Sequence, residues 1–154
     1  MKHRMKLFPA LIAALAVAAI AAGLAFAHGA ATNGRATVAV AKTKLGSILV
    51  DGKGITLYDF VLDKGKTSAC YGSCASYWPP LLTTGKPIAV RGAHAALLGT
   101  TKRKDGKLEV TYAGRPLYYW IGDKKPGQTT GQGINQFGAP WWVLSPTGAE
   151  IHRR

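Results

Sequence analysis

The sequence predicts an all-β fold: one compact single domain of two tandem β-hairpin-plus-loop repeats, which follows an N-terminal signal peptide. The first observation is an internal sequence repeat, in which LYDFVLDKGK at 57–66 recurs sixty positions later as the similar LYYWIGDKKPG at 117–127. The second is that turn residues separate short apolar runs about every 8 to 12 positions, as in all-β domains. The third is that no segment after residue 28 carries a long apolar stripe of helical period.

The chain begins with a stretch typical of a secretory signal peptide. Met1 to Lys6 is basic, residues 7–27 form the apolar run LFPALIAALAVAAIAAGLAFA, and Ala25 and Ala27 fit an A-x-A cleavage site. We therefore expect residues 1–27 to be cleaved off after Ala27 and the protein to be periplasmic or secreted. No cysteine follows the apolar run, so no lipid anchor is expected. The alternative is an uncleaved anchor, because the run is about long enough to span a bilayer.

Residues 28–44 are predicted to form a flexible N-terminal segment that ends in a candidate first strand. The start of this segment is small and polar, as in mobile termini. By contrast, ATVAVAK at 36–42 alternates small and apolar residues in the manner of a strand. The duplicated β-repeat domain is predicted to follow over 45–151.

Repeat one is predicted over about 45–90. GSILV at 46–50, the turn DGKG and ITLYDFVL at 55–62 indicate a β-hairpin. The reason is that Asp-Gly followed by a further Gly accepts the positive φ that tight turns require. A loop rich in Gly, Ser and Thr then returns to a closing segment that begins at Trp78.

Repeat two, predicted over about 91–151, has the same design. KLEVTY at 107–112, a turn at 113–114 and RPLYYWI at 115–121 indicate the second hairpin. AHAALLG at 93–99 predicts one or two helical turns. The closing segment again begins with a tryptophan, within WWVLSP. Because a lone hairpin rarely buries enough to be stable, we expect the two units to pack together.

Each repeat carries the pattern Y-x-aromatic-x-x-D. The six candidate site residues are Tyr58, Phe60, Asp63, Tyr118, Trp120 and Asp123. Side chains two apart on a strand share a face, so each tyrosine lies beside the aromatic residue that follows it. One interpretation is structural, with a core aromatic pair and an aspartate that pins the next loop through N–H groups or a tyrosine hydroxyl. The other is a stacking platform for a sugar or flat ligand, with the aspartate as polar contact. The duplication favours the structural interpretation.

Cys70 and Cys74 are the only cysteines. In an exported protein two neighbouring cysteines usually oxidise, and a bridge over a loop of about five residues contributes roughly 2 kcal/mol. The alternative is a copper or redox site, since C-x-x-x-C resembles the ligand loops of dinuclear copper centres and copper-delivery proteins. No histidine or methionine follows Cys74 within its loop, so this site would need His94 from elsewhere in the fold. We expect the disulfide.

A second metal alternative involves His28. Cleavage after Ala27 would place it at the N-terminus, where a terminal amine and an imidazole together chelate Cu(II). No cofactor is expected, and copper is the alternative.

Catalytic constellations are absent from the sequence. It contains no G-x-S-x-G, no H-E-x-x-H and no phosphate-binding P-loop. The protein is therefore predicted not to be an enzyme. The weakest alternative is an enzyme that uses Asp63 or Asp123, the acid pair in equivalent places of the two repeats.

The chain is strongly basic, with 20 Lys and Arg residues, 7 acids and a formal net charge of +13. Removal of residues 1–27 would leave about +10. The positive residues cluster only at 102–104 and 153–154, and no nucleic-acid-binding motif is present, so no nucleic acid partner is expected. A solvated basic surface predicts weak association with anionic polymers or lipid head groups. The specific partner is expected to be an envelope component or a small ligand.

The motifs together resemble a known family. The two Y-x-aromatic-x-x-D copies, the cysteine loop that leads to WPPL at 78–81, and GQG at 131–133 before Trp141 look like the bacterial and archaeal secreted repeat of unknown function. That family is described as predicted lipoproteins with a Y-x-[FWY]-x-x-D motif. The resemblance covers roughly residues 45–151 and implies an exported domain of paired repeats with no assigned activity. The missing cysteine after the signal departs from the lipoprotein label.

The sequence as a whole predicts an exported, non-enzymatic module of the cell envelope with a binding or structural role. The alternative is a periplasmic copper-binding or redox protein that uses the loop of Cys70 and Cys74.

Overall fold

The computed structural model describes residues 34–153. The predicted signal peptide (1–27) and His28 lie outside these residues. The described chain is nearly all β and is built from two repeats, which confirms the predicted fold class. The strands are β1 (Thr37–Thr43), β2 (Gly46–Asp51), β3 (Tyr58–Phe60), β4 (Leu82–Thr83), β5 (Ile88–Ala89), β6 (Leu98–Lys102), β7 (Leu108–Tyr112), β8 (Arg115–Pro116), β9 (Asn135–Gln136) and β10 (Ala139–Val143).

The strands form three small sheets. Their strand orders are β2-β1-β5, β3-β10-β9 and β4-β7-β6, and β8 adds to β7. The antiparallel hairpins β1–β2 and β6–β7 occupy equivalent positions in the two repeats: Val50 pairs with Ala39 in the first, and Val110 pairs with Thr100 in the second. Strand β1, from the segment 28–44, is thus the counterpart of β6 and pairs with β2 along its length.

The hairpin predicted over 46–62 forms only at its turn. The N–H of Asp51 donates to the carbonyl of Ile55, and Val50 forms a bridge with Thr56. Strand β3 then leaves β2 and pairs with β10. The reason is packing, because β10 brings Trp141 against Phe60 and so buries two aromatic rings at once.

The closing segments of the two repeats are exchanged. Strand β10 of repeat two pairs with β3 of repeat one. In the reverse direction, Pro80 of repeat one forms a bridge with Tyr118, and Leu82 on β4 pairs with Glu109 on β7. Each repeat therefore completes the sheet of the other, and neither buries its own hairpin without its partner.

The core divides into two apolar clusters, and each draws on both repeats. The first holds the buried aromatic residues Tyr58, Phe60, Trp78, Tyr118 and Trp141, together with aliphatic residues of β1, β2 and β10. The second is mainly aliphatic and includes Val38, Leu49, Leu57, Leu81, Val110, Leu117 and Leu144. Burial of side chains from both repeats in one cluster makes the pair of repeats the folding unit.

Two short helical segments interrupt the strands. A 3-10 turn at Ala95–Leu97 lies inside the stretch for which helical turns were predicted. The helix α1, Ser73–Tyr77, lies in the cysteine loop, for which the sequence predicted irregular structure. With five residues, α1 is too short to show a helical period in the sequence. No helix within residues 34–153 has the length and apolar character needed to cross a membrane.

Candidate functional site

The motif tyrosines of the two repeats meet at the centre of the molecule. The N–H of Tyr58 donates to the carbonyl of Tyr118, and the N–H of Tyr118 donates to the carbonyl of Tyr58, both over 2.9 Å. Both side chains are fully buried. This bridge joins the repeats through their corresponding residues.

The motif hydroxyl groups cross between the repeats. The hydroxyl of Tyr58 donates to Asp123 Oδ2 over 2.6 Å, and the hydroxyl of Tyr118 donates to Asp63 Oδ2 over 2.8 Å. Burial is the main cause that raises the pKa of both tyrosines, and the neighbouring carboxylates add to it. Both hydroxyls are therefore held in the protonated form that donates these bonds.

The second oxygen of each motif aspartate holds the loop that follows it. Asp63 Oδ1 accepts the N–H of Ala69 over 2.7 Å. Asp123 Oδ1 accepts the N–H of Thr130 over 2.9 Å and its hydroxyl over 2.7 Å. Each carboxylate thus ties its own loop to the tyrosine of the other repeat.

The other motif aromatics belong to a stack of four rings that alternates between the repeats. Trp141 and Trp78 stack at 4.0 Å, and Phe60 covers the free face of Trp141 at 4.0 Å. Trp120 covers the free face of Trp78 at 4.4 Å, and the indole N–H groups of Trp78 and Trp141 both donate to Gln136. Both faces of Trp78 and both faces of Trp141 are therefore covered by protein rings. The stack is internal packing rather than an open platform.

Gly131, the first residue of the GQG sequence, packs beside this stack. The N–H of Gly131 donates to the hydroxyl of Tyr58 over 3.2 Å. A Cβ atom at this position would lie 2.9 Å from Tyr58 Cζ and 3.0 Å from Trp78 Cη2. Position 131 therefore has no room for a side chain, although its backbone conformation does not itself require glycine.

A buried ionic network extends from the Tyr118 hydroxyl. Ser68 Oγ lies 2.7 Å from that hydroxyl and accepts a bond from Arg103 Nη1. The same Arg103 nitrogen donates to Glu109 Oε2 over 2.7 Å, and Arg103 Nη2 donates to the carbonyl of Cys70 over 2.6 Å. Burial raises the pKa of Glu109 to about 7, although the Arg103 bond and charge oppose it. The network fastens the cysteine loop to β7.

Sequence reasoning missed this network. Lys102-Arg103-Lys104 was interpreted as a surface basic cluster, yet Arg103 is buried between two exposed lysines. Arg103 lies directly after β6, and two of its partners, Ser68 and the carbonyl of Cys70, belong to the other repeat, so no local signal separates it from the two lysines.

The sulfur atoms of Cys70 and Cys74 lie 1.97 Å apart, as in a disulfide bond. Cys74 lies within α1 and Cys70 precedes it, and both residues are buried. His94, the histidine of the copper alternative, is exposed at the start of the 3-10 turn, where its N–H donates to the Tyr112 hydroxyl. Within residues 34–153, no group of three or more His, Cys, Asp and Glu side chains is placed to hold a metal ion.

The family comparison agrees with this duplicated geometry. The model of the family described as a secreted repeat of unknown function matches residues 39–82 and 99–145, which together exceed half of the chain. The chain belongs to this family. Its two matched segments begin in the corresponding strands β1 and β6 and end four residues after the corresponding tryptophans Trp78 and Trp141. No curated protein and no solved structure matches the chain.

This secreted repeat also contains a cleft of about 520 Å³ between its two halves. Asp59, Asp63, Lys66 and Arg115 are among its lining residues. Arg115 Nη1 donates to Asp59 Oδ2 over 2.7 Å and to Glu150 Oε1 over 2.5 Å. These charged residues of the cleft were not predicted from the sequence. The signal that could have indicated them is Asp59, an aspartate inside the apolar run LYDFVL.

Asp59 is the most unusual group of the cleft. It is almost fully buried, and its Oδ1 has no hydrogen-bond partner. Burial raises its pKa to about 8, Glu150 adds to the rise, and Arg115 opposes it. A buried acid with a raised pKa in the lining of a cleft is typical of binding sites for small polar groups.

Proposed function

We propose that this secreted repeat is a non-enzymatic module of the cell envelope that acts by binding. The observation that supports this is the reciprocal bonding of the motif, Tyr58 to Asp123 and Tyr118 to Asp63. The localisation is periplasmic or secreted, with the signal cleaved after Ala27 and no lipid anchor. The repeats serve as a rigid scaffold that presents their outer loops to a partner.

The state of the motif carboxylates explains why binding is favoured over catalysis. Both oxygens of Asp63 and both oxygens of Asp123 accept hydrogen bonds from protein groups. A general base or nucleophile needs a free oxygen directed at a substrate. Oxygens already bonded within the fold contribute to stability instead.

The test compares stability with any activity in matched variants. We expect Asp123→Asn and Asp63→Asn to lower the melting temperature, whereas Lys42→Gln, at an exposed lysine of β1, leaves it unchanged. A screen for hydrolytic and redox turnover is run on the same proteins. A turnover lost in Asp63→Asn or Asp123→Asn at an unchanged melting temperature would overturn the proposal.

A second candidate function is capture of a small ligand in the cleft, favoured by the charged residues Asp59, Lys66 and Arg115 in its lining. The group that would bind there is a hydrogen-bond donor such as an amine or hydroxyl. A thermal-shift screen of small amines and sugars against the parent and Asp59→Ala tests this. Stabilisation of the parent but not of the variant supports the cleft, and equal shifts contradict it.

A further inference from the structure

The two motif turns present apolar residues at their tips. The N–H of Asp63 donates to the carbonyl of Phe60, which places Val61 and Leu62 at the tip of the first turn. The N–H of Asp123 donates to the carbonyl of Trp120 in the same way, which places Ile121 at the tip of the second. Val61, Leu62 and Ile121 are exposed by 43%, 45% and 38%.

These tip residues are not explained by the turns or by the core. The central positions of β-turns favour Gly, Pro, Asn, Asp and Ser, which either suit the backbone angles or bond to it locally. Val61 and Ile121 are β-branched, and both they and Leu62 are half-exposed to water. The apolar character of both tips therefore calls for an external partner.

The two tips lie on one continuous surface. The N–H of Ile121 donates to the carbonyl of Tyr77, and the N–H of Val61 donates to the carbonyl of Pro140. The ring of Tyr77 lies 6.0 Å from that of Phe137, and Leu62 packs against the neighbouring Gly138. We call this surface the apolar strip; its residues are Val61, Leu62, Tyr77, Ile121 and Phe137, five of the six large hydrophobic residues that are exposed within residues 34–153.

Positive charge follows both tips. Lys64 and Lys66 come directly after the first turn, and Lys124 and Lys125 come directly after the second; all four are exposed. The acid of each turn is directed inward, to the tyrosine of the other repeat. The lysines therefore give these loops a positive charge next to the apolar strip, and the aspartates do not cancel it at the surface.

Over the whole surface of residues 34–153, exposed basic residues also outnumber exposed acidic residues. Fourteen of the sixteen lysines and arginines within residues 34–153 are exposed. Among the acids of the same residues, Asp105 is the exposed one, and the other six are buried or half-buried. The surface around the apolar strip is accordingly complementary to an anionic partner.

We propose that the apolar strip and its four lysines dock on the surface of an anionic lipid bilayer. This inference rests on the proposed binding function and names its partner. The tip side chains enter the boundary between head groups and acyl chains, while the lysines contact anionic head groups. A second copy would bring two sets of lysines together, and a soluble polyanion would leave the apolar tips in water, so both fit the surface less well.

The experiment is co-sedimentation of the exported protein with vesicles of phosphatidylcholine, with and without phosphatidylglycerol. We expect binding to the vesicles that contain phosphatidylglycerol and a decline with added salt. The variant Leu62→Ser/Ile121→Ser is expected to bind at least about tenfold more weakly, since its tips no longer enter the bilayer. Leu82→Ser, at an exposed leucine outside the strip, is the matched control.

A second pair of variants tests the charges. Lys64→Gln/Lys124→Gln is expected to weaken binding at least about tenfold, since each lysine near the surface contributes separately. Lys42→Gln/Lys86→Gln removes two exposed lysines outside the motif loops and is expected to bind like the parent.

Three results would overturn this inference. The first is that the protein does not bind the anionic vesicles. The second is that the strip variants and their controls lose vesicle binding equally. The third is that the protein forms a concentration-dependent dimer that Leu62→Ser/Ile121→Ser abolishes. The third would assign the strip to a second copy. None of them touches the stability of the motif variants, so failure of the membrane partner is distinguishable from failure of the non-enzymatic role.

Discussion

Tyr58 and Tyr118 are each other's main-chain partners, and the hydroxyl of each donates to the aspartate that follows the other. The motif of this secreted repeat therefore works in pairs. A tyrosine without the second repeat has neither its strand partner nor its carboxylate. The duplication is a condition of the fold, because the buried polar groups of one repeat are satisfied by those of the other.

Removal of one crossing bond is predicted to destabilise the protein. Tyr58→Phe leaves Asp123 Oδ2 without its buried donor, and we expect the free energy of unfolding to fall by about 1–3 kcal/mol. Urea denaturation measures the change, and Tyr77→Phe, at an exposed ring, is the control. In a double-mutant cycle, Tyr58→Phe and Asp123→Asn are expected to be non-additive. Additive losses would show that this hydroxyl and this carboxylate do not stabilise each other.

Gly131 is predicted to tolerate no side chain. In Gly131→Ala the new methyl group meets Tyr58 and Trp78 at about 3 Å. Overpacking of this kind costs about 1–3 kcal/mol, so we expect a clear drop in melting temperature. Gly85→Ala is the control, because the nearest atom there lies 3.9 Å away. Equal melting temperatures for the two variants would contradict the close packing at 131.

Stability is predicted to fall as pH rises. Burial raises the pKa of Asp63 to about 6, of Glu109 to about 7 and of Asp59 to about 8, above ordinary values of 3.8 to 4.5. The folded protein therefore holds protons that the unfolded chain has already released. The free energy of unfolding decreases from about pH 4 to about pH 8 as a result.

The pH dependence has a variant test. Asp59→Asn removes the acid with the highest of the three pKa values, so the fall in melting temperature between about pH 6 and pH 8 should become shallower. Lys42→Gln, at an exposed lysine, is expected to keep the parent profile. A parent protein whose melting temperature rises over this range would contradict the assignment.

Reduction of the disulfide is predicted to loosen the cysteine loop without unfolding the protein. A bridge over about five residues contributes roughly 2 kcal/mol, and the loop is also held through Arg103 and the carbonyl of Cys70. We expect a lower melting temperature in reductant, and no effect of reductant on Cys70→Ser/Cys74→Ser. Tight copper binding by the reduced parent, absent from that double variant, would instead favour the copper alternative.

The predicted elements were most accurate where the signal is local. Turn residues at Asp51-Gly52 and at 113–114 mark real turns, and the strand pattern over 107–112 matches β7. The motif spacing also placed each aspartate next to the loop that it holds. These features depend on neighbours in the chain, which are visible in the sequence.

The partners of these elements were not predictable in the same way. The closing segments that begin at Trp78 and Trp141 each pack on the hairpin of the other repeat. Because the two hairpins resemble each other, each closing segment has two similar partners, and its local pattern favours neither. The same limit applies to Asp59 and Arg103, whose partners Arg115 and Ser68 each lie in the other repeat.

The sequence by itself determined that this protein is nearly all β, that it is duplicated and that it belongs to a secreted family, because propensity, turn chemistry and repetition are written along the chain. The tertiary structure alone decided that the repeats exchange their closing segments, bond through Tyr58 and Tyr118, and direct Val61, Leu62 and Ile121 outward. This arrangement forms because it packs the rings of Phe60, Trp78, Trp120 and Trp141 together and gives the buried acids hydrogen-bond partners from the other repeat. Both depend on residues distant in sequence coming together in space.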